Sequence, residues 1–253
     1  MLIVVGSVSG APGVSTLALG LAVRWPGKPA LLVEADCTGG VLAARFGLAQ
    51  TPGLSTLAAA HRHGGLAGGL AEHAQRLALG LDAVVAPGSG DATASAMAVL
   101  VGHGEALRAL PRQVVVDVGR LGEASPALGL LGAADVVLLV VEPAREYLDH
   151  LDQRLDALTA AARKARVGLV LAGPGPFPGH EIAESVGVPV WGQLPRDRWG
   201  AGVLRGRLAG PGWRRTRLSR ATHDLALRLH QDLQTALADT DPTEVATEAG
   251  VRS

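Results

Sequence analysis

Cysteine is nearly missing: Cys37 is the only one in 253 residues. That excludes a disulfide within the chain and any zinc site with more than one thiolate, and it fits a reduced, cytoplasmic setting. Lysine is almost as scarce, with Lys28 and Lys164 the only two among 23 basic residues. Arginine supplies the rest, and with 34 glycines and abundant alanine this reads as compositional bias, so arginine richness alone is no functional signal. Aromatic residues make up 3% of the chain, so a core must be built from Leu, Val and Ala. No apolar run approaches the length that spans a bilayer. The apolar start, Leu2 to Val5, stops at Gly6 and has no basic segment before it, unlike a signal peptide. The eight histidines are scattered without a His-x₃-His pair beside a glutamate, and no Gly-x-Ser-x-Gly elbow occurs; zinc-protease and serine-hydrolase chemistry therefore have no foothold.

What is present is a series of short, continuous apolar runs: Leu2–Val5, Pro29–Val33, Asp82–Ala86, Gln113–Val116, Asp135–Val141, Val167–Leu171 and Val188–Leu194. Continuous rather than alternating runs are expected of strands covered on both faces. Between them, 92–110 and 146–163 have helical length and composition. Leu218, Ala221, Leu225, Leu229, Leu233 and Leu237 mark one face of a last helix. The expectation is one α/β domain over 1–238, a mainly parallel sheet flanked by helices on both faces. Gly64 to Gly69 reads as a glycine-rich surface excursion, and 239–253 as a disordered acidic-polar tail.

Gly6 to Thr16 carries the most information. It follows an apolar strand and precedes the helical stretch Leu17–Val23. Strand, glycine-rich turn, Ser-Thr, helix is the layout of a phosphate-binding loop, in which backbone N–H groups at a helix start hold phosphate oxygens. In a doubly wound sheet the ligand sits at the carboxyl ends of the strands. Asp36 and Asp117 both stand just at or past such ends. A hydroxyl on Ser15 and the carboxylate of Asp117 match the Mg²⁺-holding roles of such a site, and Thr16 could add a phosphate hydrogen bond.

These residues resemble the ParA/MinD family of P-loop ATPases, whose deviant Walker loop reads Lys-Gly-Gly-Val-Gly-Lys-Thr-Thr. The matching positions here are Ser9, Gly10, Ala11, Pro12, Gly13, Val14, Ser15 and Thr16. Leu31 to Gly40 looks like the family's second strand and switch I, Val114 to Gly119 like its Walker B and switch II, and Pro195-Arg196-Asp197 like its Pro-x-Asp loop near the base. The pattern is most similar to the septum-site and Tad-pilus (CpaE/TadZ) members. The resemblance implies ATP or ADP with Mg²⁺ as ligand. It places nucleotide contacts at Gly10, Ala11, Gly13, Val14, Ser15, Thr16, Pro195 and Asp197, Mg²⁺ at Ser15 and Asp117, and catalytic roles at Asp36 and Asp117. It also implies a homodimer that positions a septal, pilus or chromosomal assembly through protein partners, with recruitment to pole, septum or nucleoid. The loops after Asp36 and Asp117 would act as the switch.

Against the family pattern, Val14 replaces the P-loop lysine and Ser9 the signature lysine, Pro12 has no N–H to donate, and Ala172 stands where the family often has a base-reading Asn. A lost charge-assisted hydrogen bond costs about 1.5–3 kcal/mol, or roughly 10- to 100-fold in affinity. A lost preorganised transition-state contact costs about 10²–10³ in rate. The expectation is a degenerate site that binds nucleotide weakly rather than turning it over. An active, slow Mg-ATPase is the alternative, and a dinucleotide-dependent oxidoreductase with Glu34 on a ribose the outsider. Arg120 is either an exposed arginine or a stand-in for a missing lysine. From Arg196 to Arg220 eight arginines face a single Asp197. That cluster reads as a solvated face, as a surface for a partner or an anionic membrane, or as a DNA contact through Arg214, Arg215, Arg217 and Arg220.

Overall fold

The computed structural model describes residues 1–10, 13–62 and 70–238. Ala11 and Pro12 of the loop, the glycine-rich stretch Gly64 to Gly69 and the expected tail 239–253 lie outside those residues. Eight strands form one sheet: β1 (Leu2–Ser7), β2 (Leu31–Glu34), β3 (Gln75–Arg76), β4 (Asp82–Val84), β5 (Val114–Arg120), β6 (Val136–Val141), β7 (Arg166–Ala172) and β8 (Val190–Leu194). Their order is β3-β4-β2-β5-β1-β6-β7-β8. Only the two-residue β3 runs antiparallel, against β4. It was not visible in the sequence, because Gln75-Arg76 carries no apolar signal.

The helices are α1 (Val14–Arg24), α2 (Leu42–Phe46), α3 (Leu54–Arg62), α4 (Gly90–Leu100), α5 (Gly104–Arg108), α6 (Leu128–Leu131), α7 (Arg145–Ala162), α8 (Gly179–Val186), α9 (Arg198–Leu204) and α10 (Arg217–Ala238). Two apolar cores lie on opposite faces of the sheet. Along β1, Leu2 and Val4 join one core, with residues of α3, α4 and α7. Ile3 and Val5 join the other, with residues of α1 and α10. All side chains of β1, β2 and β6, and all but the last of β5, are buried on one face or the other, which is why these central runs are apolar without alternation.

The helix expected over 92–110 is broken. A 3₁₀ turn at Val101–His103 separates α4 from α5. Gly102 and Gly104 weaken that stretch as a helix by about 1 kcal/mol each relative to alanine. A Cβ on Gly104 would lie 2.5 Å from the Ala133 Cβ, so the turn also brings two segments close. In α10, Leu218, Leu225 and Leu229 are buried as their spacing predicts. Thr222 and Ala226 share that face, whereas Ala221 is only half-buried. The side chains of Leu233 and Leu237 lie outside the described part. Thr222 packs so tightly on α1 that a Cβ at Gly20 would stand 2.6 Å from its Cγ2. No helix among the described residues is long and apolar enough to cross a membrane.

Candidate functional site

Strand order brings the three sequence candidates together. β5 lies between β1 and β2, with Val5 opposite Asp117 on one side and Glu34 opposite Asp117 on the other. The segments leaving β1, β2 and β5 therefore meet at one edge of the sheet, the place where parallel α/β sheets bind ligands. The loop after β1 enters α1 through Gly13, whose φ of 135° suits glycine alone. Gly13 has no side chain with which to cap α1, so among the described residues the first N–H groups of the helix are left for another acceptor.

Asp117 ends the apolar part of β5 and is 2% exposed. Burial pushes its carboxyl up to about 7, while the Ser15 hydroxyl and the Gly119 N–H pull it back and the nearby Glu34 and Asp36 charges add to the rise. The Gly119 N–H donates to Oδ1 at 3.1 Å. Gly119 itself has φ 58°, and a Cβ there would overlap the Asp36 carboxylate. Its absence lets Asp36 close against the β5 loop. Asp36 Oδ1 accepts from the Thr38 N–H at 2.9 Å and the Thr38 hydroxyl at 2.8 Å, which folds the loop after β2 back on itself.

Glu34 is 1% exposed and spends both oxygens on the backbone. Oε1 accepts from the N–H groups of Val41 at 2.6 Å and Leu42 at 2.9 Å; Oε2 accepts from Ala86 at 2.9 Å. Burial raises its pKa. This carboxylate fixes the start of α2 and is sealed from solvent, so it does not present itself for the ribose contact that the oxidoreductase reading assigns to it.

Two neighbouring cavities border the loop. The larger, about 340 Å³, is lined by Gly10, Gly13, Ser15, Thr16 and Asp36, together with Arg45, Arg120 and Arg205. The smaller, about 190 Å³, is lined by Ala172, Pro195 and Asp197, and it shares Gly13, Thr16 and Arg205 with the first. A polyanionic group beside the loop and a flatter group beyond it would both find room. Val14, at the lysine position, is 6% exposed and packs into the α1-side core while bordering the larger cavity. Ser9, at the other lysine position, places its hydroxyl 3.1 Å from His150 Nδ1 on α7. Asp197 caps α9 through Oδ1 to the Gly200 N–H at 2.8 Å and holds the Leu218 N–H on Oδ2 at 3.0 Å. Its wall of the cavity is thus a fixed carboxylate already engaged by backbone.

The donor set at Ser15 and Asp117 is hard oxygen. Among the described residues no group of three or more His, Cys, Asp or Glu could cage an ion. One carboxylate and one hydroxyl, with the remaining ligands from phosphate and water, is the arrangement that suits Mg²⁺. The residues present therefore fit a magnesium nucleotide.

Arg45 and Arg205 were missed in the sequence. Arg45 follows no recognisable motif, and Arg205 was counted only as part of the Arg196–Arg220 cluster. The cluster divides: Arg205 turns to the cavity, whereas Arg214, Arg215, Arg217 and Arg220 are exposed at the 3₁₀ turn Trp213–Arg215 and the start of α10. Arg214 lies over the Trp213 ring at 5.8 Å.

No known family profile matches the chain, and no curated protein does. Solved structures do. A ParA family ATPase from Chlorobium tepidum TLS is 18% identical with a TM-score of 0.71, covering 89% of this chain and 98% of that one. The septum site-determining protein MinD from Pyrococcus horikoshii OT3, solved with Mg-ADP, is 16% identical with a TM-score of 0.72, covering 93% and 98%. A plasmid partition protein from Borrelia burgdorferi is 12% identical with a TM-score of 0.63, covering 91% and 98%. At these identities the likeness establishes the fold, a P-loop NTPase fold of the ParA/MinD type.

Proposed function

We propose that this chain is a ParA/MinD-like positioning protein whose phosphate-loop site binds ATP or ADP with Mg²⁺ and hydrolyses it little or not at all. The observation that carries this reading is the meeting of Ser15, Asp36 and Asp117 beside the loop at Gly13, with Val14 and Ser9 at the two lysine positions. Ser15 and Asp117 would hold the metal. The free N–H groups at the start of α1 would hold phosphate, and Pro195 with the wall around Asp197 would border the base. When bound, the magnesium nucleotide supplies a charge that the loops after Asp36 and Asp117 border directly. Those loops are joined through the Gly119–Asp36 contact, so occupancy would bias both and reshape a surface for a protein partner or a second copy of the chain. The septum site-determining MinD and the plasmid partition protein of the same fold support a role in placing a septal or DNA assembly; placement of a pilus assembly and recruitment to pole, septum or nucleoid belong to the same proposal.

Calorimetric titration with Mg-ATP and with NADH tests the ligand class; binding of NADH alone would overturn the proposal. Phosphate release at high protein concentration tests turnover. A steady rate abolished by Asp117→Ala would establish the slow-ATPase alternative instead.

A further inference from the structure

We propose that Arg45, Arg120 and Arg205 form a guanidinium grip for the phosphate chain of a nucleoside di- or triphosphate, in place of the two missing lysines. The inference rests on the nucleotide-binding reading above and specifies how the charge is supplied.

All three side chains line the cavity that also contains Gly13, Ser15 and Thr16. They come from three separate elements: α2, the end of β5, and the residue that closes α9. Arg120 is tied to the segment that leads into the phosphate loop, its Nε donating to the Val8 carbonyl at 3.2 Å, and among the described residues its other N–H groups make no further hydrogen bond. Arg45 and Arg205 are brought together by glycine. Gly206, just after Arg205, has φ 70°, and a Cβ there would stand 2.8 Å from the Arg45 carbonyl oxygen and 3.1 Å from the Phe46 ring. Only a residue without a side chain lets the end of α9 press on α2 in this way.

Two like charges held close need a reason. Arg45 has its pKa lowered by burial first and by Arg205 second, with the Glu34 and Asp117 charges only partly offsetting the fall. None of the three arginines takes part in the ion pairs found among the described residues, which engage Arg76, Arg108, Arg112 and Arg166. A structural arginine crowded by another cation is ordinarily relieved by a carboxylate. Asp36, the carboxylate that lines this cavity, is already directed to Thr38; the buried Glu34 and Asp117, whose charges act on Arg45, are directed to backbone N–H groups and to Ser15. A phosphate chain lying over the start of α1 would offer each guanidinium a pair of oxygens in the planar geometry that it binds best. The shared lining of the two cavities at Gly13, Thr16 and Arg205 leaves the base side continuous with this grip.

The test uses the full chain, with Mg-ATP, Mg-ADP and inorganic tripolyphosphate as probes in calorimetry. Parent protein should bind all three. Arg45→Ala, Arg120→Ala and Arg205→Ala should each weaken binding about 10- to 100-fold. The corresponding lysine variants should recover part of the loss, since they keep charge without the fork. Far-UV circular dichroism confirms that each variant folds. Three results overturn the proposal. Alanine variants that bind like the parent would remove the arginines while leaving the nucleotide reading intact. Binding of ATP without tripolyphosphate would place recognition on the base. A parent that binds no probe would remove the grip and the nucleotide reading together.

Discussion

A carboxyl group sealed from water holds its proton, and Asp117 is such a group until a cation arrives. Its folded value of about 7 stands above the roughly 3.9 of an unfolded aspartate. Between those two pH values the folded chain keeps a proton that the unfolded chain has released, so raising the pH favours unfolding across that window. Below it both states are protonated; above it both are ionised and the full cost is in force. Glu34 is raised by burial as well and acts in the same direction. Without metal or nucleotide, the melting temperature should therefore fall as the pH is taken from about 5 to about 7.5. Asp117→Asn should flatten most of that slope, and Glu34 should account for the remainder. Thermal melts in EDTA at several pH values check this; a parent slope of zero, or one unchanged in the Asn variant, contradicts it. At this scale the sequence was informative where chemistry needs a particular residue type. Asp36 and Asp117 stand out because a strand end is a specific place for an acid, and Ser15 because a helix start after a glycine-rich turn is a specific place for a hydroxyl. Arg45 could not stand out: one arginine among many carries no signal until the chain is folded.

The site is assembled from elements as much as from side chains, and glycines set the distances between them. Gly119 lets the loops after β2 and β5 touch, and Gly206 lets α9 close on α2. Gly206→Ala would force an L-residue to φ 70° with its Cβ 2.8 Å from a backbone oxygen. The left-handed backbone alone costs about 1–2 kcal/mol, and the clash would move the helix end. The expected result is a loss of that order in urea denaturation together with weaker Mg-ATP binding, because Arg45 and Arg205 no longer converge. Unchanged affinity at reduced stability would show that this contact shapes the fold and not the site. The parallel strands were legible because burial on both faces leaves continuous apolar runs, α10 because its buried face repeats with a helical period, α7 by its length and composition, and α1 by its place after the glycine-rich turn. The short helices α2, α6 and α9 were not, since fewer than eight residues hardly complete two turns. The break between α4 and α5 was hidden for another reason: alanine-rich composition favours a helix that Gly102, Gly104 and the contact with Ala133 interrupt.

At the scale of the whole molecule the net charge is zero, so any attraction to a polyanion must come from where the charge is placed. Arg214 and Arg215 in the 3₁₀ turn and Arg217 and Arg220 at the start of α10 are exposed, and none of them takes part in an ion pair among the described residues. We propose that this face makes non-specific contact with DNA phosphates. Each phosphate neutralised releases condensed counterions, and four contacts give a slope of about −3 to −4 in log affinity against log salt. Fluorescence anisotropy with a duplex of arbitrary sequence, read between low and physiological salt, should show that slope. Replacing Arg214, Arg215 and Arg217 with alanine should reduce it to about −1, while Mg-ATP binding at the separate phosphate-loop cavity stays unchanged. No binding even at low salt would leave the four arginines as a solvated face. A slope that survives the triple substitution would move the contact to another surface. Loss of DNA and nucleotide binding together would instead mean that the start of α10, whose Leu218 N–H is held by Asp197, supports the base-side wall and that the two surfaces are one unit.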